Sequence, residues 1–72
     1  MPTKNEVLIA RRNVRRAAET LAMRKADVEW HRSLGIEDST SAMQRLFDYV
    51  VEAEIGLDVA LANLERLVGV SE

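Results

Sequence analysis

Residues 42–68 read AMQRLFDYVVEAEIGLDVALANLERLV, and their repeating pattern is the strongest indication of the fold. Apolar residues recur in it at alternating intervals of three and four positions through four heptads, which is the spacing of an amphipathic helix. The recurring positions are Met43, Leu46, Val50, Ala53, Leu57, Ala60, Leu64 and Leu67. They form one continuous apolar stripe, and a helix with such a stripe needs a partner to cover it.

A second long helix is predicted upstream of this stretch. Thr3 and Glu6 have the spacing of a capping box, so the helix is expected to begin at about residue 3. No glycine or proline follows until Gly35, which is typical of the left-handed residue that ends a helix. Its apolar stripe consists of Val7, Ala10, Val14, Ala17, Leu21, Arg24, Val28 and His31.

These signals predict an all-α fold, a single domain over residues 1–72 that forms an antiparallel helical hairpin. We expect helix 1 at about 3–34, a loop at 35–40 and helix 2 at about 41–68, where Gly69 is the predicted stop. Asp38, Ser39, Thr40 and Ser41 are all suitable N-caps, so the first residue of helix 2 stays open.

The two stripes fit together in one register. They face each other when the numbers of paired residues sum to 74, and large side chains then oppose small ones, as close packing requires. The central pairs are Ala10 with Leu64, Val14 with Ala60, Ala17 with Leu57 and Leu21 with Ala53. Arg24 is the exception. It faces Val50, and we expect its guanidinium to leave the stripe toward Glu54.

A chain of 72 residues without cysteine has little core and no disulfide to stabilise it, so we predict a homo-oligomer, a four-helix bundle if dimeric. The helices also carry apolar ridges that one hairpin cannot cover. These ridges support the prediction of an oligomer and indicate a protein interface. Its candidate residues are Met23, Trp30, Leu34, Phe47, Val51, Ile55 and Val59.

Charge is divided between the two halves. Residues 1–34 carry eight basic and four acidic side chains, whereas residues 35–72 carry two basic and eight acidic ones. This division favours pairing of helix 1 with helix 2, within the hairpin and between chains.

An arginine strip, defined as Arg11, Arg12, Arg15 and Arg16, is the alternative candidate site. Side chains at this spacing spread over the outer side of helix 1, where they would meet phosphates of RNA or DNA. In architecture alone the hairpin resembles the Rop-type RNA-binding hairpins, and this resemblance implies a dimeric nucleic-acid-binding regulator. The net charge of −2 and the lack of an aromatic residue among these arginines weigh against that function.

The sequence contains no motif that is typical of an enzyme, a cofactor site or a metal site. The chain has no glycine-rich phosphate loop, no cysteine and one histidine, so we expect no enzyme, no cofactor and no metal. Asp27 and His31 stand four residues apart as two ligands would, but no second histidine accompanies them. Without a signal sequence or an apolar span, we expect a cytoplasmic protein that binds no membrane. Its arginine-rich and alanine-rich composition suggests a bacterial or phage source.

Overall fold

The computed structural model describes residues 2–71 and consists of two long helices that pack against each other as a hairpin. Helix α1 spans Lys4–Ser33 and helix α2 spans Ser41–Ser71. The molecule is a rod of 51 × 14 × 12 Å. The predicted all-α hairpin is therefore confirmed, while Met1 and Glu72 of the predicted domain lie outside the described residues.

The first helix has the ends that its sequence predicts. The backbone N–H of Glu6 donates to Thr3 Oγ1 at 3.2 Å, so Thr3 is the N-cap. At the other end Gly35 takes a left-handed conformation, with φ of 84°. Gly35 N donates to the Arg32 carbonyl at 2.9 Å and Ile36 N to the His31 carbonyl at 3.2 Å. This pair of bonds is a Schellman motif, and it satisfies carbonyls that the end of a helix leaves free.

The structure selects Thr40 as the N-cap of α2 from the four candidates. Thr40 Oγ1 accepts from the backbone N–H of Met43 at 3.2 Å. The same hydroxyl donates to the Glu37 carbonyl at 2.9 Å, which anchors the cap in the loop. In addition, Gln44 Nε2 donates to the Asp38 carbonyl at 2.9 Å. These bonds fix the direction in which α2 leaves the loop.

Arg32 ties the loop to α1. Its Nε and Nη2 atoms donate to the two carboxylate oxygens of Asp38, each at 3.1 Å, and its Nη1 donates to Glu29 at 3.2 Å. The hydrogen bond with Asp38 raises the pKa of Arg32 above its ordinary value. A two-pronged contact of this kind restricts both side chains and thereby the loop.

The predicted stop at Gly69 is wrong. Helix α2 continues through Gly69 to Ser71, three residues past the expected end at Val68. Among the described glycines, Gly35 is the one with positive φ. Glycine permits the left-handed conformation without imposing it, and a helical Gly69 keeps the regular backbone hydrogen bonds of the last turn.

The contact between the helices follows the two predicted stripes. Ala10, Val28 and Met43 are the buried apolar residues among those described, and all three are stripe positions. Every other stripe position is half-buried. Arg24 departs from expectation, because its guanidinium carbon lies 4.8 Å from the centroid of the Tyr49 ring and no ion pair with Glu54 forms. Stacking on a nearby ring keeps the arginine's head at the surface while its stem lies along the contact.

Candidate interaction surfaces

Most of the exposed apolar surface lies on one side of the hairpin. Eleven large apolar side chains of the described chain are exposed. Seven of them belong to what we call the tryptophan face: Ile9, Met23, Trp30, Leu34, Tyr49, Val59 and Val70. Met23, Trp30 and Val59 are 69%, 62% and 64% exposed, so the chain itself covers none of the three.

The tryptophan face is built from heptad positions of both helices. Ile9, Met23 and Trp30 are separated by multiples of seven, so they follow one line along α1. On α2, Tyr49 and Val70 occupy the position just before the stripe residue of each heptad. An open groove lies between the two helices on that side of the hairpin, and its lining includes Thr20, Arg24, Tyr49 and Gly56. A partner would therefore meet both helices at once.

A second apolar line, the α2 ridge, runs along the outside of α2. It consists of Val51, Ile55 and Val59, four residues apart, and all three are exposed. Its last member, Val59, also belongs to the tryptophan face. Val51 and Ile55 are 52% and 57% exposed, so α1 leaves both largely uncovered.

Phe47 stands apart from the other predicted interface residues. It is half-buried and lines a groove on the opposite side of the hairpin, together with Lys25, Val28 and Arg32. The Arg32 guanidinium carbon lies 5.5 Å from the centroid of its ring. Phe47 therefore already has neighbours within the chain, whereas Met23, Trp30, Leu34 and the α2 ridge do not share in that groove.

Leu8 and Ile9 of α1 are exposed apolar residues that are not among the predicted interface residues. Ile9 could have been found, since it lies fourteen residues before Met23 in the same heptad position. Arg16 interrupts that line midway and obscures the pattern. Leu8 occupies the neighbouring position, on the other flank of the outer surface of α1.

The arginine strip is fully displayed. Arg11, Arg12, Arg15 and Arg16 are all exposed, and within residues 2–71 none of them takes part in an ion pair. Arg32, by contrast, pairs with both Glu29 and Asp38. The charge of the strip is therefore not neutralised by an ion pair within the described residues, and no aromatic ring of those residues stacks on any of its members.

The expected ion pairs between the helices are not formed. Both ion pairs of the described residues involve Arg32, and neither of them joins α1 to α2. The acidic side chains at 48, 52, 54 and 58 on α2 also have no basic partner. The opposite net charges of the two helices therefore produce no ion pair between them in the described part of the hairpin.

His31 is held by the backbone. Its Nδ1 atom lies 2.7 Å from the carbonyl oxygen of Asp27, in the preceding turn of α1. Across the described chain, three or more acidic, histidine or cysteine side chains nowhere gather as they would around a metal ion.

Neither helix contains, in its described part, a segment with the length and apolar character needed to cross a membrane. Comparison of the chain with protein-family models, with curated proteins and with solved structures gives no match.

Proposed function

We propose that this chain is a small, non-enzymatic interaction or regulatory protein that associates with itself and binds another protein through its exposed apolar surfaces. The proposal rests on one observation, the concentration of exposed apolar side chains on the tryptophan face and the α2 ridge. Contiguous apolar surface of this kind marks interaction sites on proteins. Trp30 is the natural anchor, because tryptophan gives a large share of binding energy when a partner excludes water from it.

The amount of exposed surface supports self-association. The chain exposes 5490 Å², whereas a compact protein of 8.1 kDa exposes about 4,500 Å². Its radius of gyration is 16.1 Å, against about 11 Å for a compact chain of this length. The excess of about 1,000 Å² is similar to the roughly 800 Å² that each partner buries in a standard interface. Two hairpins packed side by side form a four-helix bundle, which supplies the core that one hairpin lacks.

A pull-down from the native host, divided into nuclease-treated and untreated halves, tests the binding of another protein. Trp30→Ala combined with Val51→Ser removes apolar contacts without touching the helix–helix contact, since both residues are exposed. We expect a specific protein to survive nuclease treatment with the native chain and to be lost with this variant. Arg11→Glu with Arg12→Glu is the matched control, and it should retain that protein. Equal retention by all three chains would refute the proposed surface.

Nucleic-acid binding is the second candidate function, and the unpaired state of the arginine strip favours it. Four arginines directed at phosphates would make binding strongly dependent on salt. The same experiment distinguishes the two functions. A defined RNA or DNA in the untreated half, lost with the Arg11→Glu and Arg12→Glu variant but kept by the Trp30→Ala and Val51→Ser variant, would establish the nucleic-acid function in place of the protein one.

A further inference from the structure

We infer that a second copy of this chain covers the tryptophan face, with the two loops at the same end of the dimer and α1 of each copy against α2 of the other. This inference rests on the proposed self-association, and it adds the face that is used and the direction of packing.

The tryptophan face suits an interface better than the opposite side of the hairpin, where Phe47 and Arg32 lie. It carries six charged residues: Glu6, Arg16, Asp27, Arg45, Glu52 and Arg66. By the same heptad positions, the opposite side carries nine: Lys4, Arg11, Arg15, Lys25, Glu29, Arg32, Glu54, Asp58 and Glu65. Interface centres are depleted in charge and enriched in aromatic residues and methionine. The side with Trp30, Tyr49 and Met23 has both properties.

The order of charges on this face matches a second copy in one direction. Along α1 the signs are negative, positive, negative at Glu6, Arg16 and Asp27. Along α2, read from the same end of the rod, they are positive, negative, positive at Arg66, Glu52 and Arg45. When the loops lie at the same end, each α1 sequence faces the α2 sequence of the second copy. Opposite signs then meet at both ends of the interface.

The positions of these charged residues along the rod axis agree with this pairing. In the register with a sum of 74, Glu6 is level with residue 68 and Asp27 with residue 47. Arg66 and Arg45 therefore lie two residues away, or about 3 Å along the axis. Arg16 and Glu52 are about 9 Å apart along the axis by the same measure. Two of the three pairs, Glu6 with Arg66 and Asp27 with Arg45, therefore lie nearly level along the axis.

A dimer with the loops at opposite ends does not pair these opposite charges. With the loops at opposite ends, α1 packs on α1 and α2 on α2. Arg45, near the loop, then lies level with Arg66 of the second copy, so that like charges meet. Each α1 also faces a helix with the same net positive charge, and each α2 faces one with the same net negative charge. Like charges in opposition disfavour a wrong arrangement.

Gly56 is compatible with close packing at this face. It lies in the middle of α2, on the groove of the tryptophan face, and a Cβ atom placed there would meet no atom within 4 Å. Packing within the chain therefore gives no reason for a glycine, which weakens a helix relative to alanine. Space at that point admits a side chain of a second copy close to the backbone of α2.

Sedimentation equilibrium on the purified chain, with its variants, tests the face. Trp30→Glu should raise the dimer dissociation constant at least tenfold while the helix content stays unchanged, because Trp30 is exposed in the single hairpin. Asp27→Arg should also weaken the dimer, and adding Arg45→Asp should restore it. Glu54→Arg on the opposite side is the matched control, and it should leave the constant within about twofold of its original value.

A spin label tests the direction. The chain has no cysteine, so Ser39→Cys places a single label on the exposed loop. Loops at the same end give an intermolecular distance below about 25 Å, since packed helices lie about 10 Å apart. Loops at opposite ends give a distance near the rod length of 51 Å.

The outcomes separate this inference from the proposed self-association. A dimer that is unaffected by Trp30→Glu, or one with the long label distance, would overturn the inference and leave self-association standing. A monomer at every concentration would overturn both. A monomer that retains a host protein in the pull-down and loses it with Trp30→Glu would assign the tryptophan face to that other protein.

Discussion

Arg24 of α1 and Tyr49 of α2 form a stacked pair across the contact between the helices, with the guanidinium carbon 4.8 Å from the centroid of the tyrosine ring. Arg24 occupies a half-buried position of the α1 stripe, so its charge needs a partner to replace lost hydration. The ring of Tyr49 supplies it. This pair fixes one point of the register, and it borders the face on which we place the second copy.

The energy of that pair is measurable in a double-mutant cycle. With Arg24→Ala, Tyr49→Ala and the double variant, we expect a coupling of about 0.5–1 kcal/mol in the free energy of unfolding, the usual value for a partly exposed cation–π contact. Lys25→Ala with Tyr49→Ala is the control cycle and should be additive. Additivity in both cycles would show that the stacking contributes nothing to stability.

Leu57 lies at the centre of the predicted stripe and is half-buried, opposite Ala17 in the register. Leu57→Glu places an unpaired charge in the helix–helix contact and should cost at least about 2 kcal/mol, enough to unfold much of the protein. Ile55→Glu, two residues away and exposed, should retain the helical circular dichroism signal. If thermal unfolding is equally affected by both substitutions, the register is wrong.

The glycines at the two helix ends have opposite predicted responses to alanine. Gly35 has a φ of 84°, which costs an L-residue roughly 1 kcal/mol, so Gly35→Ala should lower the melting temperature. Gly69 is helical, and Gly69→Ala should raise stability by about 0.5 kcal/mol. Chemical denaturation of both variants measures the difference. Destabilisation by Gly69→Ala would restore Gly69 as the end of the helix.

Thr40 is expected to matter more than the other hydroxyl residues near the start of α2. Its side chain accepts from Met43 N and donates to the Glu37 carbonyl. Thr40→Ala should therefore cost about 1 kcal/mol, the typical value of an N-cap. Ser39→Ala serves as control and should be nearly neutral in the same urea titration. A larger loss with Ser39→Ala would move the cap to that residue.

The periodicity of the sequence predicts both helices and the sides on which they pack, because each heptad must place apolar residues at the same buried positions. It did not identify the N-cap of α2, since four neighbouring residues have equivalent capping chemistry and only the loop bonds of Thr40 distinguish them. The end of α2 was wrong because glycine allows a helix to end and equally allows it to continue.

The sequence predicts apolar ridges on each helix but not their combination into the tryptophan face. Met23, Trp30 and Leu34 were found on α1, but their union with Tyr49, Val59 and Val70 depends on how the two helices are rotated against each other. That rotation also places Phe47 on the opposite side, beside Arg32. The pattern of either helix alone does not relate its flanks to those of the other helix, and only the two stripes taken together do so.

Sedimentation equilibrium of the native chain from low to high micromolar concentration is the most direct test of the central claim, that one hairpin exposes an interface for a second chain. We expect a dimer of twice 8.1 kDa that dissociates on dilution. A fully helical monomer at every concentration would contradict it.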